Sequence, residues 1–210
     1  MPLTHLRVVT LGDSLAAGAG DEAHEGIAGR LEDELRARGI SNVKTTNLGV
    51  NGAQTTDLVS RLKQQRVRDA IAGADAIVLS IGANDLFRTP GAREATLRNP
   101  LRVAEQILNR VESIVSTLHS LNPDARILIL GGYNPVPKHP MAGMIDQYLS
   151  VWDAALAARF EHDPRVSIVR MADVVTASRL SRYDSFHPGA AAYAEAAKRI
   201  AAMLVARDAA

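Results

Sequence analysis

The sequence VVTLGDSL, residues 8–15, is the first place where this chain changes from an apolar run to a turn. Its first four residues are β-branched or apolar, which predicts a buried strand. Gly12 interrupts the run, and Asp13 and Ser14 follow in the turn. Ligands of an open parallel sheet bind outside the carboxyl ends of its strands, so a serine here is well placed for chemistry. Ser and Asp also favour helix N-caps, and this stretch alone does not choose between the two roles.

The composition of the 210-residue chain narrows the classes of protein to consider. Apolar residues make up 47% and charged residues 22% of the chain, which is typical of a globular protein. A net charge of +1 and 4% aromatic residues give no reason to expect a nucleic acid or an anionic membrane as partner. The absence of cysteine excludes disulfides and thiolate nucleophiles. We expect one domain over residues 1–210. The given sequence shows neither a signal-peptide pattern nor a transmembrane run, so we also expect a cytoplasmic location.

Strand-like and helix-like runs alternate along the whole chain. Four further strands are predicted by apolar runs at residues 43–48, 76–81, 126–130 and 165–169. Helices are predicted by amphipathic or apolar periodicity at residues 25–38, 55–72, 101–121, 145–160 and 190–206. This alternation and the right-handed crossover rule predict an α/β fold, a three-layer α/β/α sandwich with a five-stranded parallel sheet in flavodoxin-like order.

Chemically suitable residues follow four of the five predicted strands, and the topology would bring them to one edge of the sheet. Ser14, Gly52 and Asn84 follow the first three strands, and Asp184 and His187 follow the fifth. A serine becomes a nucleophile when a histidine takes its proton, and a carboxylate orients that histidine. Backbone N–H groups and an asparagine amide can hold the oxyanion of a tetrahedral intermediate. Each residue also has an ordinary role in a cap, a turn or a surface, so the inference depends on their coincidence at one edge.

These segments resemble the SGNH hydrolases, also called GDSL esterases and lipases. The four signature blocks of that family occur in order as GDSL at 12–15, NG at 51–52, GAND at 82–85 and DSFHP at 184–188. The first and third blocks look most like those of small bacterial lipase/acylhydrolase members. The resemblance implies a catalytic triad of Ser14, His187 and Asp184 and an oxyanion hole from Ser14, Gly52 and Asn84. It also implies the flavodoxin-like fold, no metal or other cofactor, and hydrolysis of acyl esters or thioesters.

Asp13 and Asp85 are interpreted as supports for the turns that carry Ser14 and Asn84. Two segments, residues 86–100 and 133–144, are predicted to be irregular loops at the rim that select a small-molecule acyl ester or lipid. Their candidate pocket residues are Leu86, Phe87, Tyr133, Val136, Met141 and Met144. Apolar side chains can line an acyl pocket or simply pack beneath their own loops, and both interpretations stay open. A short-chain ester is the default substrate.

Several alternatives remain at the level of the sequence. A thioesterase, a lysophospholipase or a carbohydrate deacetylase would use the same residues. An α/β-hydrolase is disfavoured because Ala16 breaks the Gly-x-Ser-x-Gly pattern of its nucleophile. A nucleotide- or flavin-binding module is disfavoured because this sequence lacks the glycine-rich fingerprint of such modules. That function would also not explain Asp184 and His187. A non-catalytic acyl-binding relative would not need every catalytic residue type. The oligomeric state is not indicated.

Overall fold

A computed structural model describes residues 4–89 and 91–206, apart from the side chains of residues 87, 92, 93 and 97. Five parallel strands form one sheet: β1 (His5–Gly12), β2 (Asn42–Gly49), β3 (Ala76–Ser80), β4 (Arg126–Leu130) and β5 (Val166–Val169). Their order in the sheet is β2-β1-β3-β4-β5. This is the predicted flavodoxin-like order, and the α/β fold class is confirmed.

Helices cover both faces of the sheet. One face carries α1 (Ser14–Ala17), α2 (Gly26–Ala37) and α9 (Ala190–Ala206). The other face carries α3 (Thr55–Arg61), α4 (Gln65–Ala72), α7 (Pro100–Leu121) and α8 (Ala142–Arg159). Two short helices, α5 (Ala83–Arg88) and α6 (Ala92–Arg98), lie between β3 and α7. Among the described residues, no helix is long and apolar enough to span a membrane.

The sheet separates two apolar cores because successive side chains of a strand point to opposite faces. In β3, Ile77 and Leu79 belong to the core beneath α7, whereas Ala76 and Val78 belong to the core beneath α2 and α9. All five residues of β3 are buried. This burial on both faces explains why the strand reads as a continuous apolar run in the sequence.

The structure corrects two predicted elements on one face. The helix predicted over residues 55–72 is interrupted between α3 and α4, where Lys63 and Gln64 donate to carbonyl groups three residues earlier. Leu62 and Val67 are both buried, so the apolar periodicity continues across the break and conceals it. The segment 86–100, predicted to be an irregular loop, contains the end of α5 and all of α6.

Because all the strands are parallel, their carboxyl ends meet at one edge of the sheet. The turns after β1, β2 and β3 lie at this edge, and the segment between β5 and α9 returns to it. The predicted site residues are therefore carried by four separate connections of the fold.

Candidate active site

Ser14, His187 and Asp184 form a continuous chain of hydrogen bonds at this edge. His187 Nε2 lies 3.0 Å from Ser14 Oγ, and His187 Nδ1 lies 2.6 Å from Asp184 Oδ2. The serine follows β1, whereas the histidine and the aspartate lie just before α9. In this geometry an imidazole can accept the hydroxyl proton while the carboxylate holds its other nitrogen.

Asp184 is fixed by the short turn to which it belongs. Its Oδ1 accepts hydrogen bonds from the backbone N–H groups of Phe186 and His187, at 2.9 and 3.0 Å. Burial raises the pKa of Asp184, but the hydrogen bonds from the His187 ring and the two N–H groups outweigh it and bring the pKa below its usual value. The carboxylate is therefore ionised at neutral pH and acts as an acceptor for His187.

Tyr133 approaches the same turn from the end of β4. Its hydroxyl donates a hydrogen bond to the carbonyl oxygen of Phe186, at 3.3 Å. Burial raises the pKa of Tyr133 above its usual value, and the nearby charges of Asp13 and Asp184 raise it further. The phenol is therefore neutral and remains a hydrogen-bond donor.

Ser14 is the first residue of α1, and Asp13 is its N-cap. Asp13 Oδ1 accepts hydrogen bonds from the Leu15 N–H at 3.1 Å and from Ser80 Oγ at 2.8 Å. Burial raises the pKa of Asp13 to about 6, although the bonds from Ser80 and Leu15 and the charge of His187 oppose the rise. The capping function thus belongs to Asp13, which leaves the hydroxyl of Ser14 free to meet His187.

Gly12 allows β1 to pass close to β3 just before Ser14. Its φ is 126°, and a Cβ atom added to it would overlap the carbonyl oxygen of Ser80. That same carbonyl accepts a hydrogen bond from the Asp13 N–H at 2.8 Å. The position requires glycine for both its backbone conformation and its close approach.

Gly52 lies in the turn that follows β2, and Asn84 lies in the first turn of α5, after β3. The Asn84 side-chain amide donates to the carbonyl oxygen of Ala53 at 3.1 Å, which uses one of its two hydrogens. Within residues 4–89 and 91–206, the backbone N–H groups of Ser14 and Gly52 donate to no protein acceptor. Three donors at this edge therefore remain available to a ligand.

Asp85 connects the helix of Asn84 to two neighbouring helices. Its carboxylate accepts hydrogen bonds from the N–H and the Oγ1 of Thr55, at 2.9 and 2.5 Å, and forms an ion pair with Arg110 at 3.3 Å. The Asp85 side chain is buried. These contacts join α5 to α3 and α7 and so fix Asn84 relative to the turn of Gly52.

The candidate pocket residues do not form one cluster. Leu86 packs against the apolar core, Val136 and Met141 are exposed, and Met144 lines a groove between α7 and α8. Tyr133 lies beside the turn of Asp184 and His187, and the side chain of Phe87 is outside the described part of the structure. Within the described residues, no group of three or more His, Asp or Glu side chains is arranged to hold a metal ion.

Sequence reasoning missed three residues that support the site: Ser80, Thr55 and Arg110. A signal existed for Ser80, because it is the single hydroxyl in an apolar strand directly before the GAND block. For Thr55 and Arg110 there was none, because their contacts with Asp85 join residues that are 30 and 25 positions apart along the chain.

Comparisons with known proteins identify a family and several similar folds. The model of the GDSL-like Lipase/Acylhydrolase family matches residues 10–195. The uncharacterized protein YpmR of Bacillus subtilis (strain 168) is 29% identical, over 93% of this chain and 80% of YpmR. The lipase Lip_vut3 from a goat rumen metagenome superposes with a TM-score of 0.80 at 20% identity, covering 95% of this chain and 98% of that one. A catalytic mutant of Axe2, an acetylxylan esterase from Geobacillus stearothermophilus, gives a TM-score of 0.67 at 17% identity, covering 96% of each chain.

Proposed function

Since this chain belongs to the GDSL-like lipase/acylhydrolase family, we propose that it is a serine esterase that hydrolyses acyl esters with Ser14 as nucleophile. The observation that carries the proposal is the chain of hydrogen bonds from Ser14 Oγ through His187 to Asp184, with distances of 3.0 and 2.6 Å. The family and the structural neighbours point to a hydrolase that acts on esters. The roles of the individual residues are our inference from their geometry.

In the proposed reaction, His187 takes the proton of Ser14 while Ser14 Oγ attacks the acyl carbonyl carbon. Asp184 holds the imidazole through Nδ1 and stabilises the imidazolium that forms. His187 then gives the proton to the departing alcohol oxygen as the acyl–oxygen bond breaks. A water molecule, deprotonated by His187, attacks the acyl-enzyme, and the carboxylic acid leaves as Ser14 regains its proton.

The oxyanion of each tetrahedral intermediate would accept hydrogen bonds from Ser14, Gly52 and Asn84. The backbone N–H groups of Ser14 and Gly52 donate to no acceptor among the described residues. The Asn84 amide donates one of its two hydrogens to Ala53, so the other is available to the oxyanion. Donors held in place before the reaction stabilise developing charge without a cost of reorganisation. Replacing Asn84 with Ala should therefore lower kcat by about 10²–10³-fold.

The test is the hydrolysis of p-nitrophenyl esters from acetate to palmitate by the wild type and by Ser14→Ala. We expect the variant to keep its circular dichroism spectrum and to lose the activity. A fluorophosphonate probe should add its mass to the wild type only, which locates the nucleophile. Equal turnover or equal labelling of the variant would refute the assignment of Ser14. If the folded wild type left every ester intact, thioesters and acetylated xylan, the substrate that Axe2 is named for, would be the next substrates to assay.

A further inference from the structure

An apolar groove lies between the first half of α7 and the neighbouring helix α8. Its volume is about 360 Å³, which is within the range of small-molecule sites. The groove is lined mainly by Leu101, Ala104, Leu108, Met144, Val151 and Trp152. The side chains of Leu101, Met144 and Val151 are 71%, 53% and 52% exposed. Leu156 is the only fully buried residue of helix α8. Trp152 and Ala155 pack partly buried against the core, whereas Met144 and Val151 stay exposed.

The groove adjoins the turn that carries Asn84. A Cβ atom added to Gly82 would lie 3.8 Å from Trp152 Cζ2, so the indole that lines the groove packs close to this turn. Asn84 follows two residues later, in the first turn of α5. Both α7 and α8 begin at the carboxyl edge of the sheet, because each follows a strand that ends there. The groove residues Leu101 and Met144, near the start of each helix, therefore lie towards the edge that carries Ser14.

On the premise of the esterase function above, we propose that this groove binds the acyl chain of the substrate. The charges of the lining favour an uncharged occupant. The acidic lining residue Glu105 already forms an ion pair with Arg159, at 2.7 Å. A chain bound by the ester carbonyl at Ser14 would pass Gly82 and place its methylene groups along Trp152, Leu108 and Val151. The enzyme then prefers medium-chain esters to acetate, in contrast to the short-chain default of the sequence.

Two alanines of α8 provide a matched test. Ala155 lines the groove, whereas Ala157 is exposed, outside the lining and about 200° around the same helix. For the wild type, kcat/KM should rise about fourfold for each methylene that enters the groove. Ala155→Phe should lower kcat/KM for the decanoate ester at least about tenfold and leave the acetate ester within about twofold. Ala157→Phe should leave both values unchanged. An unchanged decanoate-to-acetate ratio in folded Ala155→Phe would overturn the proposal.

A binding measurement separates the groove from catalysis. Trp152 is the single tryptophan of the chain, so its fluorescence reports on the groove directly. Sodium decanoate below its micellar concentration should change the emission of the wild type saturably, whereas acetate should not, and Ala155→Phe should abolish the response.

Decanoate binding without turnover of any ester would refute the esterase and leave the groove assignment standing. Ester turnover without any emission change would refute the groove alone. A stable dimer by light scattering whose Trp152 emission is insensitive to decanoate would identify a second copy as the occupant and also overturn the proposal.

Discussion

The two turns that supply the proposed triad are built in opposite ways. The nucleophile turn, residues 12–14, is part of the sheet: Asp13 is 4% exposed and is bound by both the backbone and the side chain of Ser80 on the neighbouring strand. The base turn, residues 184–187, lies outside the sheet, and the Asp184 side chain is 39% exposed. Its carboxylate is held by N–H groups two and three residues ahead. The fold thus positions the proposed nucleophile, whereas local hydrogen bonds position the proposed base.

This difference implies that stability and activity are coupled in one turn and separable in the other. Changes in the nucleophile turn disturb the contact between β1 and β3 and should cost stability together with activity. Changes in the base turn remove few buried contacts and should cost activity alone. Variants in the two turns therefore distinguish the two sides of this contrast.

The largest expected effect belongs to His187→Ala. Without a base for Ser14, kcat should fall by at least about 10⁴-fold, as in other hydrolases that lose a triad member. The melting temperature should stay within a few degrees, because the ring, although only 22% exposed, belongs to neither apolar core of the sheet. Ester hydrolysis and thermal unfolding of the same preparation measure the two quantities.

His162→Ala is the control for this change, because the His162 side chain is 94% exposed and far along the chain from the site. It should match the wild type in both measurements. A His187→Ala protein that unfolds at a much lower temperature would show that the base turn is integral to the fold, and the contrast would fail.

Gly12→Ala should have the largest effect on stability. The new Cβ would overlap the carbonyl of Ser80, which is backbone and has no rotamer to change, and the φ of 126° is itself unfavourable for alanine. We expect a loss of more than about 4 kcal/mol, which is exceptional for one substitution and often prevents soluble expression. Urea unfolding of the purified protein gives the free energy.

Gly39→Ala separates the clash from the backbone strain. Gly39 also has a positive φ, 94°, but an added Cβ would meet no atom within 4 Å. It should therefore cost only the strain, about 1–2 kcal/mol. Equal losses in the two variants would mean that the approach of β1 to β3 is not tight, and Ser80 would lose its part in positioning Ser14.

A smaller and pH-dependent effect is expected for Asp13→Asn. The pKa of Asp13 is about 6 in the folded protein, against an ordinary value of 3.8. The folded state therefore holds the proton of Asp13 more tightly than the unfolded state does. The protonated carboxyl adds to the free energy of unfolding below about pH 4, and this stabilisation is lost as the pH rises through 6. Between pH 4 and pH 7 the wild type should lose up to about 3 kcal/mol that the asparagine variant retains.

Urea unfolding of both proteins at pH 4, 5, 6 and 7 measures this difference, and the other titrating groups cancel in the comparison. Asparagine can still cap α1 and accept the bond from Ser80, so the variant should remain folded. A constant difference between the two proteins across this pH range would show that Asp13 does not titrate there.

The strands and the candidate site residues could be named from the sequence, whereas three of the contacts that support the site could not. The continuous apolar run of β3 and the blocks around Ser14 and His187 are local patterns. The structure places β3 at the centre of the sheet and brings Ser14 and His187 within 3.0 Å of each other at the carboxyl ends of the strands. The interruption between α3 and α4 was missed because Leu62 and Val67 bury the same face on either side of it. Of the residues that line the groove between α7 and α8, only Met144 was among the candidate pocket residues. The groove depends on the packing of α7 against α8, which no local pattern predicts.

The smallest effect is expected for Tyr133→Phe, which tests how far the base turn depends on anything outside itself. The Tyr133 hydroxyl donates to the Phe186 carbonyl at 3.3 Å, a bond worth about 0.5–1.5 kcal/mol. If that bond holds the turn in register with Ser14, kcat should fall about two- to tenfold while the melting temperature changes little. Tyr183→Phe is the matched control, because Tyr183 lies next to Asp184 in sequence and is 64% exposed. A lower melting temperature with unchanged kcat would instead make Tyr133 a packing residue, and the base turn would then be positioned by residues 184–187 alone.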